Sequence, residues 1–189
     1  MTPADLNATI QSCVAQAVSP AVMHAIVSTE SGYNQYAIGV VNGRLVRQPV
    51  NLAEAVATAK MLHERGYNFS LGLGQVNKFN LKSHGLNFET AFNPCENLRA
   101  SSKILNNCYE RALKQFKDSN TAQKAAFSCY YSGNFKTGFK PDFKGQPSYV
   151  NKITSKLTQS KGGIVNYSGN LTPTNQKTET EHVQSKLLF

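Results

Sequence analysis

Apolar positions recur at Leu6, Ile10, Cys13, Val14 and Ala17, a spacing that predicts an amphipathic helix over residues 3–18. Ser19-Pro20 reads as the N-cap and first residue of a second helix. That helix runs through a mostly apolar stretch to Glu30-Ser31, and Gly32 stops it. Between 36 and 48 the period changes. Tyr36, Ile38, Val40 and Val41 precede Asn42-Gly43, and Leu45 and Val46 follow. Asn-Gly between β-forming residues predicts a two-stranded hairpin with a type I′ turn. Such a flap is marginal alone and has to pack on the helices.

Asn51 and Glu54 have the spacing of a capping box and open a helix from Leu52 to Arg65, closed by Gly66. Its apolar residues are Leu52, Ala55, Val56, Ala59 and Leu62. Asn93-Pro94 opens another helix, with Glu96 at its third position. Leu98, Ile104, Leu105, Cys108 and Leu113 supply its buried face. Residues 122–131 read as a helix of small and aromatic side chains, and Tyr149, Val150, Ile153 and Leu157 as a short last one. From about residue 160, Gly, Thr, Asn, Gln, Ser and Lys dominate. Apolar residues there are too sparse to offset the ordering entropy. The pattern divides the chain into one domain, 1–159, and a disordered tail, 160–189. The tail is either a solvated end or a partner-docking segment ending in Leu187-Leu188-Phe189. No internal repeat is read.

Composition narrows the class. At 189 residues, 40% of them hydrophobic, the chain can bury a real core in one domain. No apolar run approaches the roughly 18 to 20 residues that span a bilayer, so no integral membrane segment is expected. The start, Met1-Thr2-Pro3-Ala4-Asp5, lacks the basic and apolar regions of a signal peptide. Either the protein stays in the cytoplasm, or the chain is a mature form with a new Met. A net charge of +9 favours anionic partners such as nucleic acid, acidic lipid or cell wall. The basic residues are scattered, though, and form no stripe of the kind nucleic acid requires.

Four cysteines stand at 13, 95, 108 and 129, with no C-x-x-C and no ligand spacing among the four histidines. A metal site is not expected. The even count fits two disulfides in an oxidising compartment, against four buried thiols. If Cys95 and Cys108 share one straight helix they lie about 20 Å apart and cannot pair. Two pairings remain open: Cys13–Cys95 with Cys108–Cys129, or Cys13–Cys108 with Cys95–Cys129.

Four segments carry candidate chemistry. Glu30 closes an apolar helix, where the macrodipole disfavours an anion and apolar neighbours desolvate it. Both effects raise a carboxyl pKa, as suits an acid that protonates a glycosidic leaving oxygen. Gly72-Leu73-Gly74-Gln75-Val76-Asn77 lets backbone approach a ligand closely. Gln75, Asn77 and Asn80 present amides that match acetamido and hydroxyl groups. Asn97, one turn into its helix, either braces that loop, meets a ligand or serves local capping. Tyr130 offers a hydroxyl to the Glu30 carboxyl or packs as core.

In this order the four segments resemble the lytic transglycosylase family, with its goose-type lysozyme-like fold. The family pattern is a Glu-Ser helix end, a Gly-Leu-x-Gln-x motif, an Asn-bearing helix start and an Ala-Tyr-Asn-Ala-Gly-like motif. Here these stand as Glu30-Ser31, Gly72-Leu73-Gly74-Gln75-Val76, Asn97 and Cys129-Tyr130-Tyr131-Ser132-Gly133. The stretch 38–81 looks more specifically like the transglycosylase of bacterial type IV secretion systems, and the resemblance covers roughly residues 1–155. It implies a mainly α (α+β) domain that binds peptidoglycan glycan strands through Ser31, Gln75, Asn77, Asn80, Asn97 and Tyr130. Glu30 is then the general acid and base, and no cofactor is implied. A periplasmic monomer, with the tail free to meet other secretion components, completes the expectation.

Three positions depart from the family pattern. Gly74 replaces a methionine, Tyr131 an asparagine, and Gly39 a serine often found nine residues after the acid. No motif places a second carboxylate opposite Glu30; Glu64, Glu89 and Glu96 are candidates only by elimination. A single acid suffices when the substrate supplies its own nucleophile. The expected product of the bond between N-acetylmuramic acid and N-acetylglucosamine is therefore a 1,6-anhydro sugar. The alternatives are a hydrolytic goose-type lysozyme and a non-catalytic wall-binding module of a secretion apparatus.

Overall fold

The helix boundaries follow from caps, and most lie where the sequence puts them. The computed structural model describes residues 3–162. Helices α1 (Pro3–Cys13) and α2 (Pro20–Glu30) come first, then strand β1 (Ile38–Val40) and helix α3 (Leu52–Glu64). Strands β2 (Phe69–Leu71) and β3 (Val76–Asn77) precede α4 (Pro94–Phe116), α5 (Ser119–Ser132) and α6 (Tyr149–Gly162). From residue 163 the expected tail lies outside the described residues.

At α3 the Asn51 side chain accepts the Glu54 amide at 2.9 Å, and Glu54 reaches back to the Val50 N–H at 3.0 Å. The helix ends in a Schellman arrangement. Gly66, at φ 77°, donates to His63 O, and Tyr67 N–H donates to Leu62 O at 2.9 Å. Asn93 caps α4 through the amides of Cys95 and Glu96. Helix α1 stops at Cys13, short of the expected residue 18. Ala15 N–H leaves the helical path to donate to the Ser102 hydroxyl at 3.0 Å, and Cys13 is tied to Cys95.

The expected two-stranded hairpin around Asn42-Gly43 is corrected. The sheet has three strands in the order β1-β2-β3, and β1 pairs antiparallel with β2, Ile38 opposite Leu71. A type I′ turn needs positive φ at both central residues, and Asn42 (φ 56°) has it where Gly43 does not. The turn closes one residue early, with Gly43 N–H donating to Val40 O at 3.2 Å. Val46 is fully solvent-exposed. The Gln48 side chain, not a strand, covers the outer edge of β1: it accepts from Ile38 N at 2.8 Å and donates to Ile38 O at 3.0 Å.

Within the described residues the chain forms two compact units. Residues 3–15 and 23–104 make the first; 16–22 and 105 onward make the second, so α2 and α4 contribute to both. The first unit packs Ile38, Phe69, Leu71 and Val76 of the sheet with Ala55, Ala59 and Leu62 of α3 and with Leu81, Leu86 and Phe92. Each large side chain so buried stabilises the unit by about 1.5–3 kcal/mol. The second unit buries Phe127 of α5 and Val150 and Ile153 of α6. Ala122, Ala125 and Ala126 are also buried there, small residues that permit close approach.

Of the two disulfide pairings left open, the first is present: Cys13–Cys95 and Cys108–Cys129, at sequence separations of 82 and 21. Loop-closure entropy makes the first worth about 4.5 kcal/mol and the second about 3.3 kcal/mol. We expect Cys13→Ser/Cys95→Ser to lower the urea midpoint more than Cys108→Ser/Cys129→Ser does. Equal midpoints would show that strain or residual structure, not loop length, governs these bonds.

Candidate functional site

Glu30 is the last residue of α2, and its side chain is half-buried. The chain leaves the helix sharply. Ser31 N–H and its hydroxyl both donate to Val27 O, each at 3.1 Å. Gly32 (φ 56°) and Tyr33 (φ 69°) follow as two consecutive left-handed residues. The conformation suits glycine but strains a tyrosine by about 1–3 kcal/mol. Asn34 then closes the turn, its Oδ1 accepting from Tyr36 N at 2.9 Å. Glu30 therefore sits on a rigid corner that feeds directly into β1.

The Gly-Leu-Gly-Gln loop is fastened to that corner. Gln75, itself left-handed at φ 50°, donates through Nε2 to Ala37 O at 3.1 Å and to Gly72 O at 2.9 Å. Its Oε1 lies over Gly39, where an added Cβ would come within 2.6 Å. The departure at Gly39 thus has a local reason: the glycine leaves room for the glutamine amide.

Asn97 fastens the other side of the loop, and it is 0% exposed. Its Oδ1 accepts from Gly74 N at 2.7 Å. Its Nδ2 donates to Leu71 O at 2.9 Å and Ala91 O at 2.7 Å. Gly72, at φ 76°, passes so close that a Cβ would lie 2.5 Å from Ala91 O and 2.8 Å from Asn97 Cγ. A continuous path of hydrogen bonds runs from the α4 amide through the loop to Gln75, then to Ala37 and the corner that carries Glu30.

The remaining candidates are placed differently. Asn77 Nδ2 donates to Asn68 Oδ1 at 2.8 Å, and its Oδ1 accepts from Phe79 N. Asn80 is exposed. Tyr130 is half-buried on α5, in the second unit. Glu96 pairs with Arg99 at 2.7 Å, and Glu64 and Glu89 are exposed. Gln48 is the determinant with no signal in the sequence: a glutamine side chain that stands where a strand would pair leaves no period, whereas Gly72 was visible as part of its motif. Among the described residues no three His, Cys, Asp or Glu side chains are grouped to hold a metal ion.

His24, on α2 before Glu30, meets Tyr33 edge-to-face at 6.4 Å. Burial pushes the pKa of His24 below 6.5, and His84 moves the same way through burial and the nearby Lys103. In acid the unfolded chain therefore binds these protons more readily than the folded protein. Stability should be fully present above about pH 6.5 and fall as the pH drops below it. Melting temperatures across that window check this, and His24→Gln should flatten the curve.

The fold is a mainly helical, lysozyme-like α+β arrangement with an acid at a helix end and an amide-braced loop fastened beside it. The chain belongs to the Transglycosylase SLT domain family, whose model matches residues 8–146. It is 55% identical over 156 residues to the type IV secretion system protein virB1 of Brucella abortus, covering 82% of this chain and 65% of that protein. The Brucella suis protein of the same name is 55% identical over 146 residues, 77% of this chain and 60% of that one. The protein virB1 of Agrobacterium fabrum is 26% identical over 156 residues, 82% and 60%. The matched part of the chain thus spans about two thirds or less of each of these relatives. No solved structure matches the chain significantly.

Proposed function

We propose that this chain is a peptidoglycan lytic transglycosylase with Glu30 as its single catalytic carboxyl group, opening the wall locally for a type IV secretion apparatus. The observation that carries the reading is the fastening of the motif loop to the Glu30 corner, from Asn97 through Gln75 to Ala37, in a chain of the Transglycosylase SLT domain family.

In this reading Glu30 donates its proton to the oxygen linking N-acetylmuramic acid to N-acetylglucosamine, and the C1–O bond breaks. The 2-acetamido group of the muramic residue stabilises the oxocarbenium-like centre. Glu30, now a carboxylate, takes the proton of the sugar's own 6-hydroxyl as that oxygen bonds to C1. The product is a 1,6-anhydro sugar, and no water is consumed. Ser31, Gln75, Asn77 and Asn80 line the groove in this reading. Asn97, with no accessible surface, acts as the brace that holds the loop. Tyr130 enters as a substrate-binding residue from the sequence resemblance alone.

We place the catalytic module in residues 1–159 and give 160–189 a docking role toward other secretion components. A periplasmic location fits the two disulfides, a monomer is the state we assign with it, and no described helix is long and apolar enough to cross a membrane. Incubating the chain with purified sacculi tests the activity. Soluble muropeptides are the expected result. Wall binding without release would instead make it a non-catalytic module.

A further inference from the structure

Phe-Lys recurs three times at a spacing of four between α5 and α6, at 135–136, 139–140 and 143–144. It is an internal repeat where none was expected. The first copy is an anchor. Phe135 is half-buried, edge-on to Phe116 at 5.7 Å, with the Arg111 guanidinium 5.6 Å from its ring centre. The next two rings face outward: Phe139 is 45% exposed and Phe143 73%. Lys136, Lys140 and Lys144 are exposed, and none forms an ion pair with a described residue.

The backbone holding these side chains is fixed. Gly138 N–H donates to the buried Ser128 hydroxyl at 2.9 Å, so close that a Cβ would sit 2.6 Å from Ser128 Cα. A turn closes from Phe143 O to Gln146 N at 3.1 Å, through Gly145 at φ 84°. Two polar side chains of the loop that could meet a sugar are already engaged. Asn134 Oδ1 accepts the amides of Lys136 and Thr137. Asp142 accepts the Tyr131 hydroxyl at 2.6 Å and pairs with Lys152 at 3.9 Å. The largest groups the loop presents outward are two hydrocarbon rings without a polar handle, flanked by three cations.

We propose that this loop docks the protein on an anionic phospholipid surface. Phe139 and Phe143 enter the boundary between headgroups and acyl chains, and the three lysines pair with headgroup phosphates. That is the combination of apolar burial and electrostatic attraction by which peripheral proteins bind membranes.

Co-sedimentation of the full chain with vesicles tests it, using phosphatidylcholine alone and phosphatidylcholine mixed with phosphatidylglycerol. Binding is expected only to the mixed vesicles and should weaken with salt. It should fall about fivefold for each lysine replaced by glutamine. Phe143→Ser, at an exposed position, should reduce it about tenfold or more without shifting the melting temperature. Sacculi and single-stranded DNA are run in parallel. Failure to bind mixed vesicles, or equal binding by wild type and variants, would overturn the proposal. So would loss of binding to sacculi or DNA alone in the same variants, which would assign the loop to glycan or nucleic acid.

Discussion

Glu30→Gln is expected to reduce muropeptide release from sacculi by about a hundred- to ten-thousandfold, the usual worth of a positioned general acid–base. The substitution keeps the size and shape of the side chain but removes the proton that the proposed reaction delivers to the leaving oxygen. It also removes the base that accepts the 6-hydroxyl proton afterwards. In the proposed reaction both half-reactions depend on this one group. The variant's melting temperature has to be measured beside its activity, although other groups shape the backbone corner around it. Those are the Ser31 bonds to Val27, the left-handed Gly32 and Tyr33, and the Asn34 turn. Digestion assays beside a thermal melt separate the two effects. Undiminished release by a folded variant would remove Glu30 from the mechanism.

The largest effect on stability is expected at Asn97. Asn97→Ala takes a fully buried amide away from Gly74 N, Leu71 O and Ala91 O, all in one step. Buried polar groups deprived of a partner cost about 1–3 kcal/mol each, and partial relaxation brings the sum to about 3–5 kcal/mol. Activity should fall with it, because the freed loop is the one that holds Gln75 against Ala37. Gly72→Ala probes the same contact from the other side. Its Cβ would meet Ala91 O and the Asn97 amide, and φ 76° is unfavourable for alanine. The two changes share neighbours, so their costs should not add. Urea melts of both single variants and the double variant measure the coupling. A loss under about 1 kcal/mol for Asn97→Ala would show that the brace is dispensable.

How much of this was legible beforehand depends on how local the signal was. Caps were readable because Asn51, Asn93 and Gly66 act within a few residues of themselves. The helical stripes were readable because a period of 3–4 is written along the chain. The partner of β1 was not, because Asn42-Gly43 suggested a neighbour within ten residues. The true partner, β2, lies some thirty residues on, brought there by α3. The end of α1 was lost the same way, to a bond from Ala15 that crosses to Ser102.

The candidate site was legible as a set of residues and opaque as an arrangement. The motif shows Gln75 and Asn77 as amides, and only the fold shows that Gln75 Nε2 and Asn77 Nδ2 donate to protein oxygens. Asn97 offered three readings, and only its zero exposure and its three bonds single out the brace. Gly39 looked like a defect against the family pattern. In the fold it is the position that admits the Gln75 side chain. Charge told least: the cations looked scattered along the sequence, whereas three of them alternate with phenylalanines in one loop.

In the proposed reaction one carboxyl group acts first as acid and then as base while the sugar supplies the nucleophile. Digestion of sacculi in heavy-oxygen water, followed by mass spectrometry of the muropeptides, tests it most directly. Anhydro products whose masses carry no solvent oxygen are expected. Incorporation of one heavy oxygen at each new reducing end would contradict it and make the enzyme a hydrolase.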